Sequence, residues 1–201
     1  MRKIIAFFLI FWGTLTLLSA RTLVVGLQET YKNPQEAFEA CQDGDEIKIL
    51  AGNYLSEQTY AFTHKKNVKI YGVGKVWLLC EEPSFDVFRV VACRNVILEN
   101  IKMKHLQPDI LDKAEDSCGG SVLVVESCQN LQIRNCELNG CGRIGINFAF
   151  SEDHEAIVLE NNKIHQNSLC ALMYRHHTYF RAEDMKFPWL TFKKNMIKNN
   201  G

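Results

Sequence analysis

Neither sign of charge is in excess in this sequence. Its 201 residues carry 23 Lys and Arg against 23 Asp and Glu, so it offers no general field to attract nucleic acid or an anionic membrane. A CxxC pair is also missing. The closest cysteines, Cys136 and Cys141, lie five apart, which is poor zinc-finger spacing. The apolar run from Ile4 to Leu18, broken by Gly13, Thr14 and Thr16, is shorter than the ~20 residues of a membrane span. No cysteine follows that run before Cys41, which argues against a lipid-modified N-terminus. A complete catalytic signature is absent as well.

What is present begins with an export signal. Arg2 and Lys3 precede the apolar run, and Leu18-Ser19-Ala20 puts a small residue at the cleavage position. The expected organisation is a signal peptide over 1–20 and one domain over 21–201. That domain divides into a capping region over 21–62 and repeat coils over 63–201. Two of the basic residues leave with the signal, so the remainder holds 21 basic against 23 acidic residues. All eight cysteines lie in that remainder. Their even number in an exported chain allows disulfides, and buried thiols suit the same positions.

The decisive pattern is a repeat. Asn67-Val68-Lys69-Ile70-Tyr71-Gly72 is followed by Asn95-Val96-Ile97-Leu98-Glu99-Asn100, then Asn130-Leu131-Gln132-Ile133-Arg134-Asn135 and Ala156-Ile157-Val158-Leu159-Glu160-Asn161. A weaker copy spans Leu190 to Asn195. Steps of 28, 35, 26 and 33 residues separate Val68, Val96, Leu131, Ile157 and Leu190. Each copy alternates with period two, so one face turns inward. A single such strand cannot bury that face, whereas stacked copies form a continuous core. In this register the column Glu99, Arg134, Glu160, Lys193 alternates in charge, which stabilises neighbouring strands. Asn100, Asn135 and Asn161 form a turn column, because asparagine tolerates left-handed turns and can hydrogen-bond along the stack.

With these repeats the chain resembles the pectate-lyase-like superfamily of carbohydrate-binding and sugar-hydrolysing β-helices. Pro34 to Cys41 is similar to the short amphipathic helix that caps such a solenoid. Ala37, Phe38 and Cys41 supply its apolar face. Gly44-Asp45-Glu46-Ile47 and Gly52-Asn53-Tyr54 are similar to the family's opening phrase, with Gly44 and Gly52 expected at turns. The resemblance implies an all-β, right-handed, single-stranded parallel β-helix with a short N-terminal capping helix. It is specific for fold and not for activity.

Coil length then locates candidate sites. The 35- and 33-residue steps carry roughly seven to nine residues more than the 26-residue step. Segments 105–120, 151–155 and 175–189 are expected to leave one edge of the solenoid and line a groove, the usual place for function on a rigid scaffold. The first holds Asp109, Asp112, Glu115 and Asp116, either a calcium-binding carboxylate set or a solvated polar loop. In the last, Arg175, His176 and His177 are candidates for catalysis, since arginine pairs with uronate carboxylates and histidine moves protons. Tyr179, Arg181, Trp189 and Asp153 are candidates for contact with a sugar. Cys93, Cys128 and His154 share one repeat phase, where stacking or a Cys–Cys contact is expected rather than a metal.

These readings converge on a secreted or envelope β-helix that binds polysaccharide, with cleavage as a further activity of the same groove. A cleaving version would be a lyase or a glycoside hydrolase. The alternative is a non-catalytic envelope or adhesion protein that uses the solenoid as a rigid interaction surface. In that version a second copy or another protein covers the last coil, whose unpaired strand edges invite association.

Overall fold

The fold, taken from a computed structural model, is described for residues 20–106, 119–140, 142–149, 154–174 and 188–201. The chain enters through β1 (Thr22–Val25), crosses the end of the core as α1 (Pro34–Ala40), and continues into β2 (Glu46–Ser56) and β3 (Tyr60–Thr63). Successive turns of the solenoid are β4 (Lys69–Cys80) with β5 (Phe88–Val91), then β6 (Arg94–Glu99), β7 (Lys102–His105) and β8 (Leu123–Glu126). They are followed by β9 (Gln129–Arg134), β10 (Glu137–Asn139) and β11 (Ile144–Ala149), and by β12 (Ile157–Glu160), β13 (Lys163–His165) and β14 (Cys170–Tyr174). The last described strands are β15 (Leu190–Lys193) and β16 (Met196–Lys198).

The strand pairings are parallel and link each strand to its equivalent one coil away. Three outer faces result. The first runs through β1, the start of β2, the start of β4, β6, β9, β12 and β15. The second uses the far halves of β2 and β4, then β7, β10, β13 and β16. The third is the separate sheet β3-β5-β8-β11-β14. This is a right-handed parallel β-helix, with the register that the asparagine repeat predicts. Val96 pairs Leu131, Ile133 pairs Leu159 and Ile157 pairs Leu190.

Inward columns form the core. Ile47, Ile70, Leu98, Ile133 and Leu159 stack without exposure, as do Leu78, Met103, Leu138 and Ile164. Burying a side chain of this size contributes roughly 1.5–3 kcal/mol. The corners are set by residues in the left-handed region. Asn100, Asn135 and Asn161 have φ of 58°, 52° and 54°, a conformation that asparagine accepts at little cost. A parallel column, Asn67, Asn95 and Asn130, carries the side-chain ladder, with amide contacts of 2.7 and 2.9 Å.

The N-terminal end is sealed as expected. Asn33 caps α1 through Gln35 N at 2.8 Å, and Glu36 reaches back to complete a capping box. Ala37, Phe38 and Cys41 are buried, and Phe38 stacks on Phe88 at 5.3 Å. Gly44 lies in a turn with φ 87°, whereas Gly52 does not. Gly52 sits inside β2 at the register shift that lets one long strand bend from the first face to the second. Asp45 is the staple of this end, accepting bonds from Arg21 N at 3.0 Å, Arg21 Nη2 at 2.6 Å and Gln42 N at 2.9 Å. Burial opposes its charge, yet these bonds hold its pKa below the usual carboxylate value.

At the other end the same inward columns finish in Phe192 and Ile197, which are 47% and 49% exposed because no coil stacks on them. No helix among the described residues is long and apolar enough to cross a membrane.

Candidate functional site

The three variable segments do not share one edge. Segment 106–120 joins β7 of the second face to β8 of the third. The segments around 151–155 and 175–189 join β11 and β14 of the third face to β12 and β15 of the first. The expected common groove is therefore divided between two corners, because the long insertion follows the second strand of its coil rather than the third. Asp109, Asp112 and Asp116, Asp153, and Arg175, His176, His177, Tyr179 and Arg181 lie outside the described residues. Trp189 is half-buried. Its ring stacks on Tyr174 at 5.8 Å and meets Phe148 and His154 at 5.3 and 5.2 Å, at the end of the core. Cys128 N donates to His154 Nδ1 at 3.1 Å, so Cys128 and His154 stack as their shared phase implies.

The corner that segment 106–120 leaves from is acidic on its described side. Glu57, Glu81 and Glu82 with Ser84 and Phe85 line an open cleft of about 630 Å³. Ser84 Oγ donates to Glu82 at 2.8 Å. Among the described residues, no three His, Cys, Asp or Glu side chains gather as a metal site.

A denser constellation occupies the second outer face. Alternation along β7, β10 and β13 turns Met103, Leu138 and Ile164 inward and leaves their neighbours outward. Trp77, Lys102, Glu137, Lys163 and Met196 consequently form one register row across the stack. Successive members are spaced about 4.8 Å apart. Glu137 accepts from Lys102 Nζ at 2.7 Å and Lys163 Nζ at 3.0 Å, and it meets His165 Nε2 at 3.0 Å. His165 Nδ1 faces Gln166 Oε1 at 2.9 Å. The Gln166 amide can turn either end toward it, so the imidazole keeps partners on both nitrogens. Lys102 and Lys104 extend over the Trp77 ring at 5.3 and 5.8 Å from its centre, a cation–π arrangement.

This cluster is only partly wet. The Glu137 side chain is 17% exposed and that of His165 7%. Burial alone would raise the Glu137 pKa, but the bonds from Lys102, His165 and Lys163 outweigh it and bring the value to about 2. Glu137 is thus a fixed anion that spaces cations. It is unsuited to the general-acid role, which needs a raised pKa. With Lys104 and Lys198 alongside, the described strands of this face carry four lysines against one carboxylate.

The candidate residues on the loops do not include this set, although the sequence carries its signal. Lys102, Glu137, Lys163 and Met196 are separated by 35, 26 and 33 residues, the same steps as the first-strand repeat. Each heads a short triplet with an apolar centre.

The geometry defines a right-handed parallel β-helix with a lysine- and tryptophan-bearing outer face. Solved structures agree on the fold. A pectin methylesterase variant crystallised with a hexasaccharide superposes with a TM-score of 0.52 and 12% identity over 88% of this chain. The pectin methylesterase from Aspergillus niger superposes with a TM-score of 0.51 and 15% identity over 90% of it. The chain spans 60% and 67% of the lengths of those two proteins. No protein-family profile matches the sequence, and no curated protein sequence does.

Proposed function

We propose that this chain is an exported β-helix protein that binds polysaccharide along its second outer face. One observation carries the reading: the row from Trp77 through Lys102 and Glu137 to Lys163, which crosses four coils at a constant spacing. A regular polymer laid along the solenoid axis meets equivalent strands at each step. Lysines paired with Glu137 are held in place, so little side-chain entropy is lost when an acidic group displaces or bridges them. Trp77 adds an apolar surface for a sugar ring. The pectin methylesterases with the same fold act on a polymer of this kind, which is consistent with the reading.

Binding is better supported than cleavage here. Hydrolysis by paired carboxyl groups needs two of them flanking the scissile bond, one protonated. Among the described residues of this face Glu137 is the one carboxylate, and it is held charged. Cleavage assisted by Arg175, His176 or His177 belongs to the same proposal as a secondary activity. Export rests on the signal over 1–20, which N-terminal sequencing of the secreted protein checks. The test of function is titration with neutral and acidic polysaccharides, combined with an assay for new chain ends. Binding that falls at least tenfold in Lys102→Ala/Lys163→Ala supports the reading. Equal binding by the parent and this variant contradicts it.

A second reading is favoured by the exposure of Phe192, Met196 and Ile197 on the last coil. There the solenoid acts as a rigid interaction surface and this apolar layer is covered by a further coil, a second copy or another protein. A concentration-dependent mass in solution that Phe192→Asp abolishes would favour a second copy.

A further inference from the structure

We propose that Cys93 and Cys128 become joined by a disulfide when the chain folds in an oxidising environment, cross-linking two successive coils. The two residues occupy the same place in equivalent turns. Each follows a left-handed residue, Ala92 at φ 52° and Ser127 at φ 49°. Gln129 N donates to Cys93 O at 2.9 Å, and Arg94 pairs with Gln129, so the two cysteines are register neighbours. Their Cα atoms are then about 4.8 Å apart, inside the ~4.4–6.8 Å that a disulfide spans.

The side chains point the same way. Each thiol donates to the carbonyl two residues back, Cys93 to Val91 O and Cys128 to Glu126 O, both at 3.3 Å. Rotation about χ1 turns one sulfur toward the other. No other two described cysteines are neighbours in this way: Cys80 pairs with His105, Cys170 with Ile144, and Cys136 N bonds to Asn162. The contact also differentiates the thiols. Contact with Cys128 holds the Cys93 thiol below its ordinary value, and the same contact with burial pushes Cys128 up.

Both positions are buried in the folded chain, so the bond forms during folding. The Cys93 thiolate attacks a sulfur of a donor disulfide, oxidised glutathione or an exchange protein, and expels one donor thiolate. Cys128 then loses its proton and attacks Cys93 Sγ, expelling the second half of the donor. Two protons and two electrons leave the cysteines, and the donor disulfide becomes two thiols. The cross-link stiffens the corner from which the 151–155 and 175–189 segments leave.

The test is refolding of the full chain in mixed reduced and oxidised glutathione, acid quenching, alkylation and peptide mapping. Folding is confirmed by circular dichroism. The expected product is the Cys93 peptide linked to the Cys128 peptide, two hydrogens lighter than the separate peptides and released by reductant. Reductant should lower the melting temperature of the parent and leave that of Cys93→Ala/Cys128→Ala unchanged. Full alkylation of both cysteines in folded, unreduced protein would overturn the proposal, as would a link from either one to another cysteine. Neither result depends on whether polysaccharide binds.

Discussion

The first and second outer faces of this solenoid share one register and differ in what they do with charge. On the first face the column Glu99, Arg134, Glu160, Lys193 alternates in sign across paired strands. Lys69 joins it by pairing with Glu99 at 2.8 Å, and Arg134 approaches Glu160 at 3.7 Å. Within that column each charge meets its opposite, and the pairing is explained by stability, at a few tenths of a kcal/mol per pair. On the second face one carboxylate, Glu137, is shared by Lys102, Lys163 and His165. A surplus of one sign on a rigid grid is unnecessary for folding. The difference separates a face that holds the solenoid together from a face available to a polyanion.

The largest effects should be the same on both faces, because the inward columns are equivalent. Ile133→Ala on the first face and Leu138→Ala on the second should each cost about 2–5 kcal/mol, read from chemical denaturation. A large disparity between them would break the equivalence on which the comparison stands. Charge reversal sharpens it next. Lys102→Glu/Lys163→Glu should weaken acidic-polysaccharide binding by roughly 30-fold or more, about 2 kcal/mol or above. Lys69→Glu on the first face should leave it within about twofold.

Replacing Glu137 by Gln should destabilise the fold by on the order of 1–2 kcal/mol at neutral pH, a value reduced for solvent screening. Its sign with pH follows from the lowered pKa. The carboxylate contributes fully above its ordinary value of 4.5 and loses that contribution as pH falls toward about 2. Stability of the parent should therefore drop through that window, and the drop should be shallower in Glu137→Gln. Arg134→Ala should have the smallest effect, under about 1 kcal/mol and fading with added salt.

The sequence was informative wherever one residue type had to recur at one phase. Apolar centres such as Ile70, Leu98 and Ile133, and left-handed asparagines such as Asn100 and Asn135, each obey a steric demand that repeats every coil. The capping helix was legible for a similar reason, since Pro34, Glu36 and Phe38 fill successive roles in one turn. The corner assignment of segment 106–120 was not legible. Residue spacing between first strands gives the length of an insertion but not the strand it follows. The Glu137 cluster was hidden because its strands are only three or four residues long and their outward members, Lys102, Glu137 and His165, differ in type. The repeat steps relate Lys102, Glu137 and Lys163, but only the register shows that His165, one row over beside Asn139, joins them at one carboxylate.

The most direct test of the two-face account is lysine footprinting with an acylating reagent, with and without saturating acidic polysaccharide. The account predicts that bound polymer protects Lys102, Lys104 and Lys163 and leaves Lys48, Lys69 and Lys193 reacting at their free rates. Protection of the first-face lysines, or equal protection on both faces, would contradict it.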